Sequence, residues 1–514
     1  MVTVSTDSYE LQARSFIQNP SVEELRRLAA EMPNAKATAL GNLDVFTRVD
    51  ARSAGSTYIV SDHPEAYAGH QTMSRAAYGD LAARQDAYVR DQDMILIDGY
   101  ISNAPEIETP ARLIIEKANA NVAGMQRALY FDGGPAEPVV TVIYTPNLEA
   151  PGYPNDRCIA VDLEHEVTRV LNSDYFGESK KGGLRMWNQI VYDLGGLAMH
   201  AGCKVIPTGS GTKTILIVGL SGTGKTTSTF RRQNDSKAVQ DDFIALMPSG
   251  TVHGSENGCF AKTFGLSQDD EPEIYGAVMS QDAYLENVFM NDDGTLDFFN
   301  ESFTQNGRAV FSLAALGRFQ DAQSIAPVSA IVILNRDQSI VPALCRLTER
   351  QAAAYFMLGE TTGTSAGGKE EAGKALRVPG TNPFFPLPNA LQANRFLALL
   401  RSHPAEVYLM NTGWLVERKG AASKKVTVAH SSACMQAIAE GNLDWHEDPD
   451  FGYAVPARVP GIDEGDEDLL RPRARFLAVG RLDEYRALVQ LRIDERRAFL
   501  KTFQDLDPYI RDAL

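Results

Sequence analysis

The run Thr214-Ile215-Leu216-Ile217-Val218 passes directly into Gly219-Leu220-Ser221-Gly222-Thr223-Gly224-Lys225-Thr226-Thr227. An apolar, β-branched run followed at once by G-x-x-x-x-G-K-T is a strand feeding a phosphate-binding loop. Gly219, Gly222 and Gly224 let the backbone curl so that successive N–H groups face phosphate oxygens. Lys225 supplies a point charge for the β- and γ-phosphates, and Thr226 offers a hydroxyl to Mg²⁺. A helix beginning near Lys225 adds the positive end of its dipole. The stretch therefore demands an α/β chain that binds a nucleotide.

The rest of the chain sets the bounds. At 514 residues it exceeds one ordinary core, so two or more domains are expected. A net charge of −17 argues against nucleic acid or an anionic membrane as the main partner. Cys158, Cys203, Cys259, Cys345 and Cys434 show no C-x-x-C spacing, which suits a reducing compartment and gives no disulfide framework. The first residues lack a basic and then apolar leader pattern, and the apolar runs are too short to span a bilayer. A cytoplasmic location is expected.

Along the chain, residues 21–32 read as a helix capped by Ser21, and residues 45–49 and 56–60 as strands flanking a polar turn with Arg52 at its tip. Residues 94–97, 139–144 and 158–161 read as strands. Residues 110–129 read as a helix, from the spacing of Leu113, Ile114, Ala118 and Val122. This alternation is an α/β pattern. Tyr175-Phe176-Gly177-Glu178-Ser179-Lys180-Lys181-Gly182-Gly183 reads, taken alone, as a solvated turn, with a helix from Leu184. Taken singly, Arg52 reads as a solvated loop residue and His200 as a core histidine. Asp241-Asp242 ends a short apolar run after the phosphate loop, where such folds keep a metal-binding carboxylate. Residues 287–299 read as short strands around the turn Asn291-Asp292-Asp293-Gly294. Residues 359–388 form a candidate lid. Residues 461–468 read as an acidic linker and 475–514 as a helical tail. The expected division is an N-terminal substrate-side α/β domain (1–195), a phosphate-loop nucleotide- and metal-binding domain with mixed sheets (196–460), and a linker with helical tail (461–514).

Taken in order, these stretches resemble the ATP-dependent phosphoenolpyruvate carboxykinase family. The likeness rests on the Arg52 turn, the Tyr175–Gly183 stretch, Met199-His200, the phosphate loop and Asp241-Asp242. It extends to Glu256-Asn257-Gly258-Cys259-Phe260-Ala261-Lys262-Thr263, Leu285-Glu286-Asn287-Val288, Arg346-Leu347-Thr348 and Tyr408-Leu409-Met410-Asn411-Thr412-Gly413-Trp414. The resemblance implies that Lys181, His200 and Asp242 ligate a catalytic Mn²⁺, and that Thr226 and Asp241 serve the Mg²⁺ of ATP. It implies that Arg52 and Arg346 hold the substrate carboxylate and the transferring phosphoryl group. Tyr175 stands on the substrate side, and Lys180 is a second active-site lysine. Residues 219–227, with His200, Glu286 and Arg346, match ATP contacts. The implied reaction decarboxylates oxaloacetate to an enolate that takes the γ-phosphate of ATP, giving phosphoenolpyruvate, ADP and CO₂. The implied partners are small molecules, with no nucleic acid and no membrane, and the protein is expected to be a monomer or small homo-oligomer.

The chain departs from the family pattern in four places. Glu-His-Gly-Trp after the acidic pair is here Phe243-Ile244-Ala245-Leu246. Cys-Ser-Ala-Asn after the metal histidine is Ala201-Gly202-Cys203-Lys204. The lid pattern Thr-Glu-Pro-Thr-Pro-Thr-Phe is replaced by Arg377-Val378-Pro379-Gly380-Thr381-Asn382-Pro383-Phe384-Phe385. The adenine-side Arg-Ile-Ser-Ile-Lys-Asp-Thr is Lys425-Val426-Thr427-Val428-Ala429-His430-Ser431, so that Lys425 and Ser431 stand where an Arg and a Thr contact nucleotide. Two further readings stay open: a kinase of the same fold acting on another small carboxylate or a protein side chain, and a nucleotide-binding regulator with little catalysis.

Overall fold

The structure is a computed structural model, and it describes residues 1–363, 374–415 and 423–514. Among these, two eight-stranded sheets carry most of the fold. The phosphate-loop strand Gly211–Val218 lies third in one of them. The order there is Lys237–Gln240, Ala201–Thr208, Gly211–Val218, Ala330–Asn335, Glu406–Asn411, Leu344–Leu347, Ala454–Pro456, Trp445–Glu447. The strand runs parallel to Ala330–Asn335 and antiparallel to Ala201–Thr208, so the sheet is mixed. Ile215 and Ile217 enter one apolar cluster with Val332 and Met410; Leu216 and Val218 enter another with Ile331, Ile333 and Leu409. Successive side chains point to opposite faces, so a strand covered on both sides needs the continuous apolar run seen in the sequence.

The other large sheet has the order Ser15–Gln18, Asp93–Ile101, Thr109–Glu116, Val140–Thr145, Val167–Leu171, Cys158–Asp162, Thr57–Val60, Thr72–Met73. The helix Phe176–Asp193 packs on it, with Leu184 and Trp187 sharing a cluster with Val142 and Tyr144. A five-stranded sheet joins Leu43–Val45 and Ala35–Ala37 to Tyr284–Glu286, Arg308–Ser312 and Gly258–Lys262. Segments far apart in the chain, residues 35–45 and 258–312, thus share one layer.

Three expectations are corrected. Residues 110–129 are not one helix: Thr109–Glu116 is a strand between Asp93–Ile101 and Val140–Thr145, and the helix is Ala120–Leu129. A short run buried on both faces carries no period that separates strand from helix. The glycine-rich stretch at 175–183 is the first half of the helix Phe176–Asp193 rather than a turn. Its glycines serve close packing: a Cβ on Gly177 would lie 2.4 Å from the Tyr175 ring, and one on Gly182 would lie 3.0 Å from Val142. Residues 287–299 form a turn closed by Asn291, with only the bridge Met290–Leu296 in place of strands.

The tail forms the helices Pro472–Ala478, Leu482–Lys501 and Pro508–Arg511, after a 3₁₀ turn at Glu464–Leu470. It fixes the hairpin Glu360–Thr362/Ala375–Arg377, which belongs to the candidate lid; residues 364–373 of that stretch lie outside the described residues. Arg496 is 1% exposed and meets Glu360 at 2.8 and 3.0 Å; Arg377 adds a contact to Glu360 at 3.1 Å. Burial pushes the Glu360 carboxyl up, but Arg496 and Arg377 overcome it and hold the group at about 2. Removing one partner of a buried pair strands the other charge, so Arg496→Met should cost about 3 kcal/mol in denaturant unfolding. The pH sign follows from the depressed pKa. Glu360's contribution is present above the ordinary carboxylate range near pH ~4.3 and is lost as pH falls toward about 2. Glu360→Gln should therefore show a shallower loss of stability over that interval than the wild type.

Candidate active site

The loop conformation explains its glycines. Gly222 and Gly224 have φ of 82° and 89°, a region closed to most side chains. A Cβ on Gly219 would lie 2.5 Å from Thr223 Oγ1, which itself donates to the Leu220 carbonyl at 2.7 Å. The helix Lys225–Phe230 follows, so Lys225 and Thr226 sit at its first turn. Thr226 Oγ1 donates to Asp241 Oδ2 at 3.2 Å, and Lys225 Nζ donates to the Asp241 carbonyl at 2.8 Å.

Four nitrogen groups meet on one carboxylate. Asp242 Oδ2 accepts from Lys180 Nζ at 2.7 Å and Lys181 Nζ at 3.0 Å; Asp242 Oδ1 lies 2.8 Å from Lys225 Nζ and 3.0 Å from His200 Nε2. Three separate parts of the fold deliver them. The lysines come from the helix Phe176–Asp193, His200 from the junction between Leu197–Met199 and Ala201–Thr208, and Lys225 from the phosphate loop.

The environment divides the protonation states. Burial pushes the Lys181 ammonium down to about 8, with Lys180 adding to the fall and Asp242 opposing it. Burial also lowers Lys180, but Asp242 and Glu256 overcome it, and this ammonium is held above its ordinary value. Burial and the neighbouring Lys225 push His200 down to about 4, so its imidazole is neutral. A carboxylate, a neutral imidazole and an amine able to give up its proton form a donor set that fits Mn²⁺. Asp241 Oδ1 is buried without a hydrogen-bond partner, beside the Thr226 hydroxyl, which fits the hydrated Mg²⁺ of a nucleotide.

A cavity of about 280 Å³ opens over this cluster. It is lined by Leu220, Ser221, Gly222, Gly224, Lys225, Thr226 and Thr227 of the phosphate loop, together with Arg52, Tyr175, Lys181, Lys262 and Arg308. Thr361, Gly363, Leu376, Val378, Pro383 and Phe384, from the candidate lid, line it as well. Arg52 is placed through its neighbour: the Ser53 N–H donates to Glu178 Oε1 at 2.6 Å, and Arg157 donates to Ser53 Oγ at 3.0 Å. Tyr175 is buried against Phe260 and receives a long hydrogen bond, 3.5 Å, from Asn306 Nδ2. Asn306 Oδ1 also accepts from Arg308 Nη2 at 2.8 Å. A second cavity of about 180 Å³ lies behind the loop, lined by Gly222, Thr223, Gly224, Thr412, Lys425 and Ser431, among others.

Three expected residues lie elsewhere. Arg346 lines neither cavity. Its guanidinium stacks 4.8 Å from the Trp445 ring and lies 3.8 Å from Glu406, at the start of Glu406–Asn411. The phosphate loop leaves the opposite end of that parallel set of strands. Arg308, from Arg308–Ser312, occupies the cavity in its place. The signal for Arg308 in the sequence is slight: a lone cation opening the apolar run Ala309-Val310-Phe311. Glu286 lines neither cavity and accepts the Phe176 N–H at 2.9 Å, where burial pushes its carboxyl up to about 8. Lys180 lies beneath the cavity, between Asp242 and Glu256, rather than in its wall.

Comparison with known proteins agrees with this geometry. The family model for phosphoenolpyruvate carboxykinase matches residues 14–465. The chain is 29% identical to phosphoenolpyruvate carboxykinase (ATP) of Geobacillus thermodenitrificans, over 95% of this chain and 94% of that protein. It is 30% identical to the Bacillus pumilus protein of that name, over 80% of each chain. With the Aeropyrum pernix protein of that name the identity is 34%, over 68% of this chain and 70% of the relative. A loop for polyphosphate, a Lys–His–Asp cluster beneath it and a match over most of the length lead to one conclusion: the chain belongs to the ATP-dependent phosphoenolpyruvate carboxykinase family.

Proposed function

We infer that the protein converts oxaloacetate and ATP to phosphoenolpyruvate, ADP and CO₂, at the cavity over Asp242. One observation carries the assignment of roles: a single cavity is lined both by the phosphate loop and by Arg52, Lys181 and Arg308. The triphosphate is cradled by the loop N–H groups, with Lys225 offsetting charge on its outer phosphates. The adenine side extends into the second cavity, toward Lys425 and Ser431. Arg52 offers a guanidinium fork to a substrate carboxylate, and Arg308 offers one to the phosphoryl group as it moves.

Oxaloacetate loses CO₂ and its carbonyl oxygen becomes an enolate oxygen. That oxygen attacks the γ-phosphorus, and the bond to the β–γ bridging oxygen breaks to release ADP. Lys181, His200 and Asp242 would hold Mn²⁺, and Thr226 with Asp241 would hold the Mg²⁺ of ATP. When bound, these ions supply Lewis-acid stabilisation of the enolate and neutralise phosphate charge. Lys180 keeps Asp242 oriented. The lid residues that line the cavity, Phe384 foremost, exclude water from the enolate and the phosphoryl group. The alternatives of another acceptor, or of binding without turnover, are not favoured by the family. Among the described residues no helix is long and apolar enough to cross a membrane, and all five cysteines are unpaired and buried. We place the protein in the cytoplasm, as a monomer or small homo-oligomer.

The test is direct. Purified protein with ATP, oxaloacetate, Mg²⁺ and Mn²⁺ should form phosphoenolpyruvate and ADP in equal amounts, read by phosphorus NMR; ADP without phosphoenolpyruvate would overturn the assignment. Arg308→Ala should lower kcat/KM by about a hundredfold or more, as loss of a transition-state donor does. Arg346→Ala should stay within about twofold, because its surface contact is worth little. The reverse ranking would return the phosphoryl role to Arg346. Lys181→Ala should abolish turnover while keeping the wild-type melting temperature within a few degrees.

A further inference from the structure

Lys204 lies on the strand Ala201–Thr208, and its amine meets the C-terminal end of the helix that follows the phosphate loop. Its side chain is fully buried, at 0% exposure. All three of its hydrogen bonds go to uncharged oxygens: the Ser228 carbonyl at 3.1 Å, the Arg231 carbonyl at 2.5 Å and Gln233 Oε1 at 2.5 Å. Burial pushes the ammonium down to about 7, with Glu273 opposing. A buried lysine without a hydrogen-bonded carboxylate is costly, and an apolar side chain would fill the space more cheaply. The position of its partners shows what it does there.

Ser228 and Arg231 belong to the C-terminal end of the helix Lys225–Phe230, where carbonyls lack helical partners and a cation is favoured. The other end of that helix carries Lys225 and Thr226. Two residues before Lys204, Gly202 marks the same close approach: a Cβ there would lie 2.1 Å from Thr229 Oγ1. Gln233 continues the connection, donating to Ser432 Oγ at 3.0 Å on the helix Val428–Glu440, which carries Ser431. Gln233, Ser431 and Ser432 all line the second cavity.

We propose that Lys204 is a positioning residue for the nucleotide, fixing the phosphate-loop helix and, through Gln233, the helix beside the second cavity in one arrangement. The proposal rests on the nucleotide reading of the two cavities. It concerns affinity for ATP and ADP and leaves the substrate wall formed by Arg52 and Tyr175 alone.

The test uses the full-length protein with Lys204→Met, which removes the donors, and Lys204→Asn, which stays polar but is too short to span the three acceptors. The KM for ATP and the calorimetric Kd for ADP should rise about tenfold in both, and the KM for oxaloacetate should stay within about twofold. Lys204→Gln, which restores part of the donor set, should show an intermediate ADP affinity. Unchanged ADP affinity in a variant with a cooperative melt overturns the proposal. So does an equal rise for both substrates, which marks a merely structural role. If Lys204→Met does not fold, Lys204→Asn decides by the same readings. ADP binding is measured without turnover, so failure of the carboxykinase assay leaves this result interpretable.

Discussion

The site depends on one carboxylate shared among four nitrogen groups. Burial works against a charged Asp242, yet Lys180, Lys181 and Lys225 hold it well below the usual carboxylate range. The cavity is lined by five cationic side chains, Arg52, Lys181, Lys225, Lys262 and Arg308, against three carboxylates, Asp241, Asp242 and Glu271. A chain with net charge −17 thus keeps a cationic interior cleft. Low-dielectric walls focus such a field, and the ligands that answer it are polyanions.

The same carboxylate ties the three segments together. The helix Phe176–Asp193 brings two lysines with opposite fates: Lys180 is held charged by Asp242 and Glu256, whereas Lys181 is drawn toward neutrality by burial. Adjacent residues on one helix achieve this because one points beneath the cavity and the other into its wall. The apolar surroundings come from the departures in sequence. Phe243 and Phe384 stand 5.2 and 4.3 Å from Lys181 Nζ, and both rings also pack on His200. Their faces attract a cation, while their bulk adds to the burial that, with Lys180, pushes Lys181 down to about 8 against the pull of Asp242. The apolar segment Phe243-Ile244-Ala245-Leu246 after Asp242 therefore leaves the Lys181–His200–Asp242 cluster assembled while surrounding it with apolar side chains.

What was legible in the sequence was local. The phosphate loop and Asp241-Asp242 each occupy a short stretch whose chemistry is readable on its own, whereas His200 and the lysine pair, which taken singly read as a core histidine and a solvated turn, took their roles only from the family resemblance. The arginines were not legible in this way. Arg308 and Arg346 both sit on short strands of opposite sheets, and only strand pairing decides which guanidinium reaches the cavity; Arg346 pairs with Tyr408 and leads to Glu406, away from the loop. The placement of Glu286 was hidden for a related reason, since its partner is the backbone of Phe176, 110 residues earlier in the chain. The stretch at 175–183 hid its helix because glycine is used there for contact with Tyr175 and Val142, while its usual message in sequence is a turn.

The lid hairpin shows how a remote segment enters the site. Thr361 and Leu376 pair across Glu360–Thr362/Ala375–Arg377 and line the cavity, while Glu360 and Arg377 pair with each other's strand and meet Arg496 and Glu495 of the tail. With a period of two, a residue that faces the cavity is flanked by a residue that faces the tail. The position of the cavity wall is therefore set by the buried ion cluster behind it. Gly359 makes this connection possible: its φ of 49° turns the chain out of the helix Glu349–Leu358, and a Cβ there would lie 1.8 Å from the Val378 carbonyl. A helix, a glycine turn and a tail that the family match does not reach thus act together on Thr361 and Leu376. The apolar rim of the active site is held from behind by charge.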